Sequence, residues 1–92
     1  MNSVLQRKKE CFVCKTTYGL HSHHVIGGTA NRKKSEQYGF KVWLCGKHHN
    51  LSNEGVHFNR ELDIKLKRIA QEKWLADGHT KEDWHREFTK WY

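Results

Sequence analysis

Two short segments rich in apolar, β-branched and aromatic residues lie in the first half of the chain and predict the two strands of a small sheet. The first segment covers 18–26 and carries three histidines, and the second covers 40–44. The stretch between them, 27–37, is mostly polar and basic in its middle, so we expect a long loop there. After the second strand, 45–51 predicts a turn that enters a short helix.

The second half of the chain has the spacing of helices. Asn59 is a suitable N-cap residue and Gly78 is placed to end the helix. Ile64 and Leu75 fall nearly opposite the predicted core face. We therefore expect this helix to have neighbours on two sides, within the chain or across a dimer. The core-facing positions recur at helical spacing: Leu62, Leu66 and Ile69.

A last helix is predicted to begin after Thr80, another good N-cap residue. Trp84, Phe88 and Trp91 follow at i, i+4 and i+7, and large aromatic residues at this spacing usually pack in a core. We interpret the two helices, 59–92, as the scaffold of a single small domain whose core is 11–58. Residues 1–10 are polar and basic, which predicts a frayed tail.

Composition limits what this domain can be. Only 36% of its 92 residues are hydrophobic, so the core is thin and an additional staple such as a metal ion is expected. No apolar run approaches the roughly 20 residues of a membrane span, so we expect no membrane partner. Three cysteines cannot all pair in disulfides within the chain, and the first residues lack the apolar segment of a signal peptide. Both features favour a cytoplasmic location.

Basic charge is concentrated in the first part of the chain. The formal net charge is +7, and residues 1–58 hold nine Lys or Arg against three Glu. A basic surface of this kind suits a polyanion such as nucleic acid. Ordinary solubility would explain the same charge equally well.

Two short ligand pairs predict a structural zinc site. Cys11 and Cys14 form a Cys-x-x-Cys pair, and Cys45 and His48 form a second pair 30 residues later. Each pair can occupy two adjacent corners of a tetrahedron, and zinc binding would add the folding free energy that the thin core lacks. A redox-active Cys11–Cys14 pair is the alternative, although no thioredoxin-like pattern surrounds it.

A second group of histidines predicts a reactive centre. His23 and His24 lie on the first predicted strand, and the adjacent zinc ligand would hold His49 beside that strand. Neighbouring strand residues point to opposite faces, so one of the two can bind a cation while the other reaches the reacting atom. Imidazole serves as metal ligand and as general base near pH 7. His57 is a candidate further ligand, with Asn53 as its competitor, and solvated or structural histidines are the alternative for the group.

Together these residues resemble the HNH endonuclease motif, the ββα-metal nuclease finger. The resemblance covers roughly 11–57 and depends on His23-His24-Val25, the basic loop and Trp43-Leu44-Cys45-Gly46-Lys47-His48-His49-Asn50. It implies an α+β fold, a small zinc-stapled ββα-metal (HNH) finger with two C-terminal helices. It also implies a metal-dependent endonuclease that hydrolyses DNA phosphodiester bonds. Small phage and prophage HNH proteins are similar, some of them associated with recombination, which implies a bacterial host cell.

The resemblance also assigns roles to single residues. His24 matches the general base, His49 matches a metal-binding histidine, and His23 stands where the family most often has a metal-binding Asp. His23, His49 and His57 would hold the catalytic cation, which would be Mg²⁺, Mn²⁺, Ni²⁺ or Zn²⁺. An imidazole in place of a carboxylate shifts the preference away from Mg²⁺. His48 replaces a usual fourth cysteine, and the family's middle Asn has no clear counterpart.

DNA is the predicted partner, and a homodimer or a phage protein partner is left open. Contacts to the DNA backbone would position it without reading its sequence. Two other functions compete with the nuclease: a zinc-dependent DNA-binding module without catalysis, and a subunit of a phage assembly. His21, on the same strand face as His23, is interpreted as structural or phosphate-contacting. The basic residues nearest the site are the candidates for DNA contact: Arg32, Lys33, Lys34, Lys41 and Lys47.

Overall fold

The computed structural model describes residues 3–27, 29–49, 55–56, 59–88 and 90–92, with Thr29 described in its backbone only. Within these ranges the chain forms a small α+β fold, which confirms the α+β part of the predicted fold class. The described elements are two strands and four helices: β1 Leu20–His24, α1 Thr29–Tyr38, β2 Lys41–Cys45, α2 Gly46–His49, α3 Arg60–Ala76 and α4 Lys81–Phe88.

The two strands pair antiparallel, with His24 opposite Lys41 at one end and Leu20 opposite Cys45 at the other. Both strands were predicted, and β1 is shorter than the predicted 18–26. Side chains alternate between the two faces of each strand, and Val42 and Leu44 of β2 are buried. The hairpin therefore sets which histidines of β1 share a face.

The prediction of a loop over 27–37 is wrong, because α1 occupies most of it. The segment from Thr29 to Tyr38 contains neither glycine nor proline and is rich in good helix formers. Gly39, at φ +74°, ends the helix with a Schellman motif. In that motif Phe40 N–H donates to Ser35 O at 2.8 Å. The Ser35 hydroxyl then ties α1 to the end of β1, donating to Ile26 O and accepting from Ile26 N–H.

The segment predicted as a frayed tail lies along β2 from Ser3 onwards. The Ser3 hydroxyl donates to Lys41 O at 2.5 Å. The Gln6 side chain accepts a hydrogen bond from Trp43 N–H at 2.8 Å, and Phe12 N–H donates to Trp43 O at 2.8 Å. These bonds occupy backbone groups of β2 on the edge that β1 does not use.

The predicted caps of the two C-terminal helices are confirmed. Asn59 Oδ1 accepts from Leu62 N–H at 3.1 Å, and Gly78 takes the positive φ of a helix-ending residue. Thr80 Oγ1 accepts from Asp83 N–H, and Asp83 Oδ2 accepts from Thr80 N–H. This reciprocal pair is a capping box.

Aromatic side chains of the two helices pack against the hairpin in one core. Trp84 and Phe88 are fully buried, with ring centroids 4.5 Å apart, and Phe40 lies 5.8 Å from each of them. Trp91 lies beyond the end of α4 and still packs edge-on against Trp84. This arrangement supports the interpretation of α3 and α4 as scaffold.

The side of α3 away from this core borders a groove open to solvent. Ile64 and Ile69 both line it, so Ile69 is not the core-facing residue that the spacing predicted. Ala70 and Trp74 are buried instead. Among the helices of the described residues, none is both long enough and apolar enough to cross a lipid bilayer.

Candidate functional site

The two predicted ligand pairs meet at one end of the hairpin. Cys11 and Cys14 lie in a turn that Lys15 N–H closes by donating to Cys11 O at 3.0 Å. Cys45 is the last residue of β2, and His48 follows in α2. The potential ligand atoms of the two pairs all lie within 4.8 Å of one another.

These four side chains fit a tetrahedral ion. With Zn–S bonds of about 2.3 Å and a Zn–N bond of about 2.0 Å, a tetrahedral site separates two sulfurs by about 3.8 Å and sulfur from nitrogen by about 3.5 Å. Cys14 Sγ and Cys45 Sγ are 3.7 Å apart. His48 Nδ1 lies 3.7 Å from Cys11 Sγ and 3.2 Å from Cys45 Sγ. The Cys3His group could therefore hold a structural metal such as zinc.

The surroundings of the thiols differ. Burial raises the pKa of Cys11, but hydrogen bonds from the backbone N–H groups of Cys14, Cys45 and Val13 outweigh it and lower that pKa to about 6. Burial is also the main reason why the pKa of Cys45 is raised. The thiolate is the form that binds a metal, so the sulfur of Cys11 is better prepared for an ion near neutral pH than that of Cys45.

In the short helix α2, His49 follows the candidate ligand His48 and lies toward β1. His49 Nδ1 lies 2.9 Å from His21 Nδ1, and the rings of His49 and His23 lie 5.4 Å apart between centroids. His23 is mostly buried, including its Nε2 atom. The predicted neighbours His23 and His49 are thus brought together. In the described part of the chain, no second set of three ligand side chains comes as close as the Cys3His group.

His24 has a different set of partners. Its Nε2 lies 3.0 Å from Glu36 Oε2 on α1, and Lys41 Nζ lies 2.9 Å from Glu36 Oε1. Lys41 is only 4% exposed. The ammonium group of Lys41 and then His24 lower the pKa of Glu36, so this carboxyl group is an anion at neutral pH.

A cavity of about 260 Å³ lies beside the two adjacent histidines of β1. His23 and His24 both line it, together with Asp63 and Lys67 of α3. Asp63 and Lys67 form an ion pair at 2.8 Å. Val25, Gly27 and Val56 complete the wall.

Two of the five predicted DNA-contacting residues are paired with glutamates of the same chain. Lys41 is buried against Glu36, and Lys34 forms a 3.6 Å ion pair with Glu87 of α4. These two lysines therefore contribute little to an outer basic surface. The other three are exposed and can meet a polyanion: Arg32, Lys33 and Lys47.

Sequence reasoning missed Glu36, Asp63 and Lys67. Glu36 could have been found only by recognising α1, which brings it back over the end of β1. Asp63 and Lys67 were one turn apart on a helix interpreted as scaffold. The predicted ligand His57 and its competitor Asn53 lie outside the described residues.

The chain matches no protein-family model, no curated protein and no solved structure. What the site can do chemically is therefore inferred from its own geometry.

Proposed function

We propose that this protein is a metal-dependent endonuclease of the HNH type that hydrolyses phosphodiester bonds of DNA. One arrangement supports this proposal above all. His23 and His24 line the same cavity, and His49 lies against His23 from the helix that follows β2. An imidazole pair for a cation and a further imidazole for a proton are thus grouped at one place on the surface.

His23 and His49, with His57, would hold the catalytic cation. Neutral imidazole nitrogen suits Zn²⁺, Ni²⁺, Co²⁺ and Mn²⁺ better than Mg²⁺. When bound, such a cation supplies the positive charge that offsets the charge developing on the scissile phosphate and the leaving oxygen. The nitrogen atoms of His21 and His49, 2.9 Å apart, are close enough to bind one ion together, so His21 is a candidate fourth ligand.

His24 would take the proton from the attacking water. A positioned general base accelerates such a step by about 10²–10⁴-fold. The Cys3His group would have a separate role, since a metal held there would fix the end of β2 and the start of α2, the helix that carries His49. Arg32, Lys33 and Lys47 would hold the DNA backbone without reading its sequence.

Nicking of supercoiled plasmid DNA tests this function. Purified full-length protein is incubated with Mg²⁺, Mn²⁺, Ni²⁺ or Zn²⁺, and conversion to the open circle is followed on gels. We expect His24→Ala to lose at least 10²-fold in rate. His85→Ala, which removes an exposed histidine of α4, is the matched control and should nick like the wild type. Equal nicking by both variants would rule out His24 as the base.

A DNA-binding module without catalysis is the second candidate. One observation favours it: in the described residues, the Cys3His group is the one set of three or more ligand side chains already close enough to hold an ion. A gel-shift assay of binding to fragments of the same plasmid separates the two functions. Binding that falls steeply with salt, without nicking in any of the four metals, would support the module over the nuclease.

A further inference from the structure

Three side chains form a hydrogen-bonded network at the end of the two-stranded sheet opposite the Cys3His group. The register places Lys41 of β2 directly opposite His24 of β1. Glu36 reaches both of them from α1, with one carboxylate oxygen 3.0 Å from His24 Nε2 and the other 2.9 Å from Lys41 Nζ. Each oxygen of the carboxylate thus has its own partner.

The contact with Glu36 fixes where the imidazole of His24 carries its proton. A carboxylate only accepts hydrogen bonds, so His24 Nε2 is the nitrogen that carries hydrogen. In a neutral imidazole the other nitrogen, Nδ1, then holds the lone pair. Nδ1 is therefore the atom at which His24 can accept a proton.

Glu36 is well placed to hold this geometry although its side chain is largely exposed. The preceding residue, Ser35, is fully buried and bonds to both backbone groups of Ile26. Lys41 is buried beside it, and a buried ammonium requires a charged partner. The carboxylate is thus fixed from two sides, by the backbone of α1 and by Lys41.

We propose that Glu36 is a positioning residue that selects the Nε2-protonated form of His24 and aims its Nδ1 at the attacking water, with Lys41 holding Glu36 in place. This inference rests on the proposed function, since it presupposes that His24 is the general base. A histidine that must remove a proton works only in the correct tautomer and orientation. A carboxylate on the other ring nitrogen supplies both.

Nitrogen NMR of the imidazole tests the positioning without any need for activity. The full chain is labelled with ¹⁵N-histidine, and the ring shifts of His24 are recorded at pH 8 without DNA. We expect the wild type to show Nε2 protonated and Nδ1 unprotonated, and Glu36→Ala to show a mixture of the two tautomers. Glu36→Gln should also lose the wild-type pattern, because its single amide oxygen cannot accept from both Lys41 and His24. With that oxygen on Lys41, the amide N–H₂ group faces His24 and favours an unprotonated Nε2.

Nicking kinetics then test the catalytic consequence. Glu36→Ala should lower kcat about ten- to hundredfold, the usual cost of removing a group that orients a functional histidine, and leave KM within about twofold. Glu36→Gln should lower kcat at least as far, because its amide cannot accept from Lys41 and His24 at once. Glu72→Ala removes an exposed carboxylate from α3 and should change neither quantity.

The possible failures can be told apart. An unchanged tautomer ratio in Glu36→Ala overturns the positioning role, whatever the activity. A shifted tautomer ratio with unchanged kcat overturns the catalytic part of the role. A wild type that nicks DNA in none of the four metals overturns the proposed function, and the catalytic part of this inference with it, while the NMR result still decides whether Glu36 sets the tautomer.

Discussion

Replacing Cys14 by serine tests whether a metal held by the Cys3His group stabilises the fold, separately from packing. Cys14 is the exposed member of the Cys3His group, so exchanging its sulfur for oxygen disturbs the core little. Structural zinc binds small domains with about 10–16 kcal/mol of apparent free energy at pH 7. If four ligands share this equally, loss of one removes about 3–4 kcal/mol, a 10²–10³-fold weaker affinity.

Thermal unfolding in excess zinc measures this loss. Anything that binds only the folded chain stabilises it according to its affinity. For a domain of this size 1 kcal/mol shifts Tm by about 4–8 °C, so Cys14→Ser should melt roughly 12–30 °C below the wild type. In a chelator the two proteins should melt together, because neither then holds an ion.

Val13→Ser is the matched control, since it changes an exposed neighbour in the same turn and leaves every ligand. It should stay close to the wild type in both conditions. If Cys14→Ser melts with the wild type in zinc, or retains one zinc per chain with undiminished affinity, the Cys3His group is not a metal site.

Two further predictions concern the helical scaffold. Asn59→Ala should lower the free energy of unfolding in urea by about 1 kcal/mol, because Leu62 N–H loses its acceptor, while Asn59→Gly should cost only a few tenths; equal stability of all three proteins would contradict the cap. Hydrogen bonds from Thr80, chiefly from its backbone N–H, lower the pKa of Asp83 below its ordinary value. Its stabilisation is therefore present at neutral pH and lost as the pH falls through the lowered pKa. The stability difference between wild type and Asp83→Asn should accordingly shrink from pH 7 to pH 3 in thermal melts, and a constant difference would contradict this linkage.

Local signals predicted much of the fold. The Asn59 and Thr80 caps, the β2 strand and the two ligand pairs each depend on residues close in sequence, and each is found in the structure. The helix α1 was missed because it presents almost no apolar face. Tertiary bonds hold it in place, among them those of Ser35 to Ile26.

Because α1 was not predicted, part of the candidate site was not predicted either. The position of His49 beside the strand of His23 and His24 was predicted, because the candidate ligands Cys45 and His48 directly precede it in sequence. The pairing of His24 with Glu36 was not, because it needs both α1 and the strand register. A loop over 27–37 would also have left Lys34 and Lys41 as exposed cations, whereas each pairs with a glutamate.

The N-terminal segment has a consequence for how other molecules can approach this protein. Strand edges with open N–H and C=O groups invite backbone pairing with other chains, which leads to aggregation. Here Gln6 and Phe12 satisfy both backbone groups of Trp43, and the ammonium group of Lys9 lies 4.8 Å above the Trp43 ring. The outer margin of β2 is thereby closed to intermolecular strand addition at its centre, so a neighbouring molecule must be recognised there through side chains.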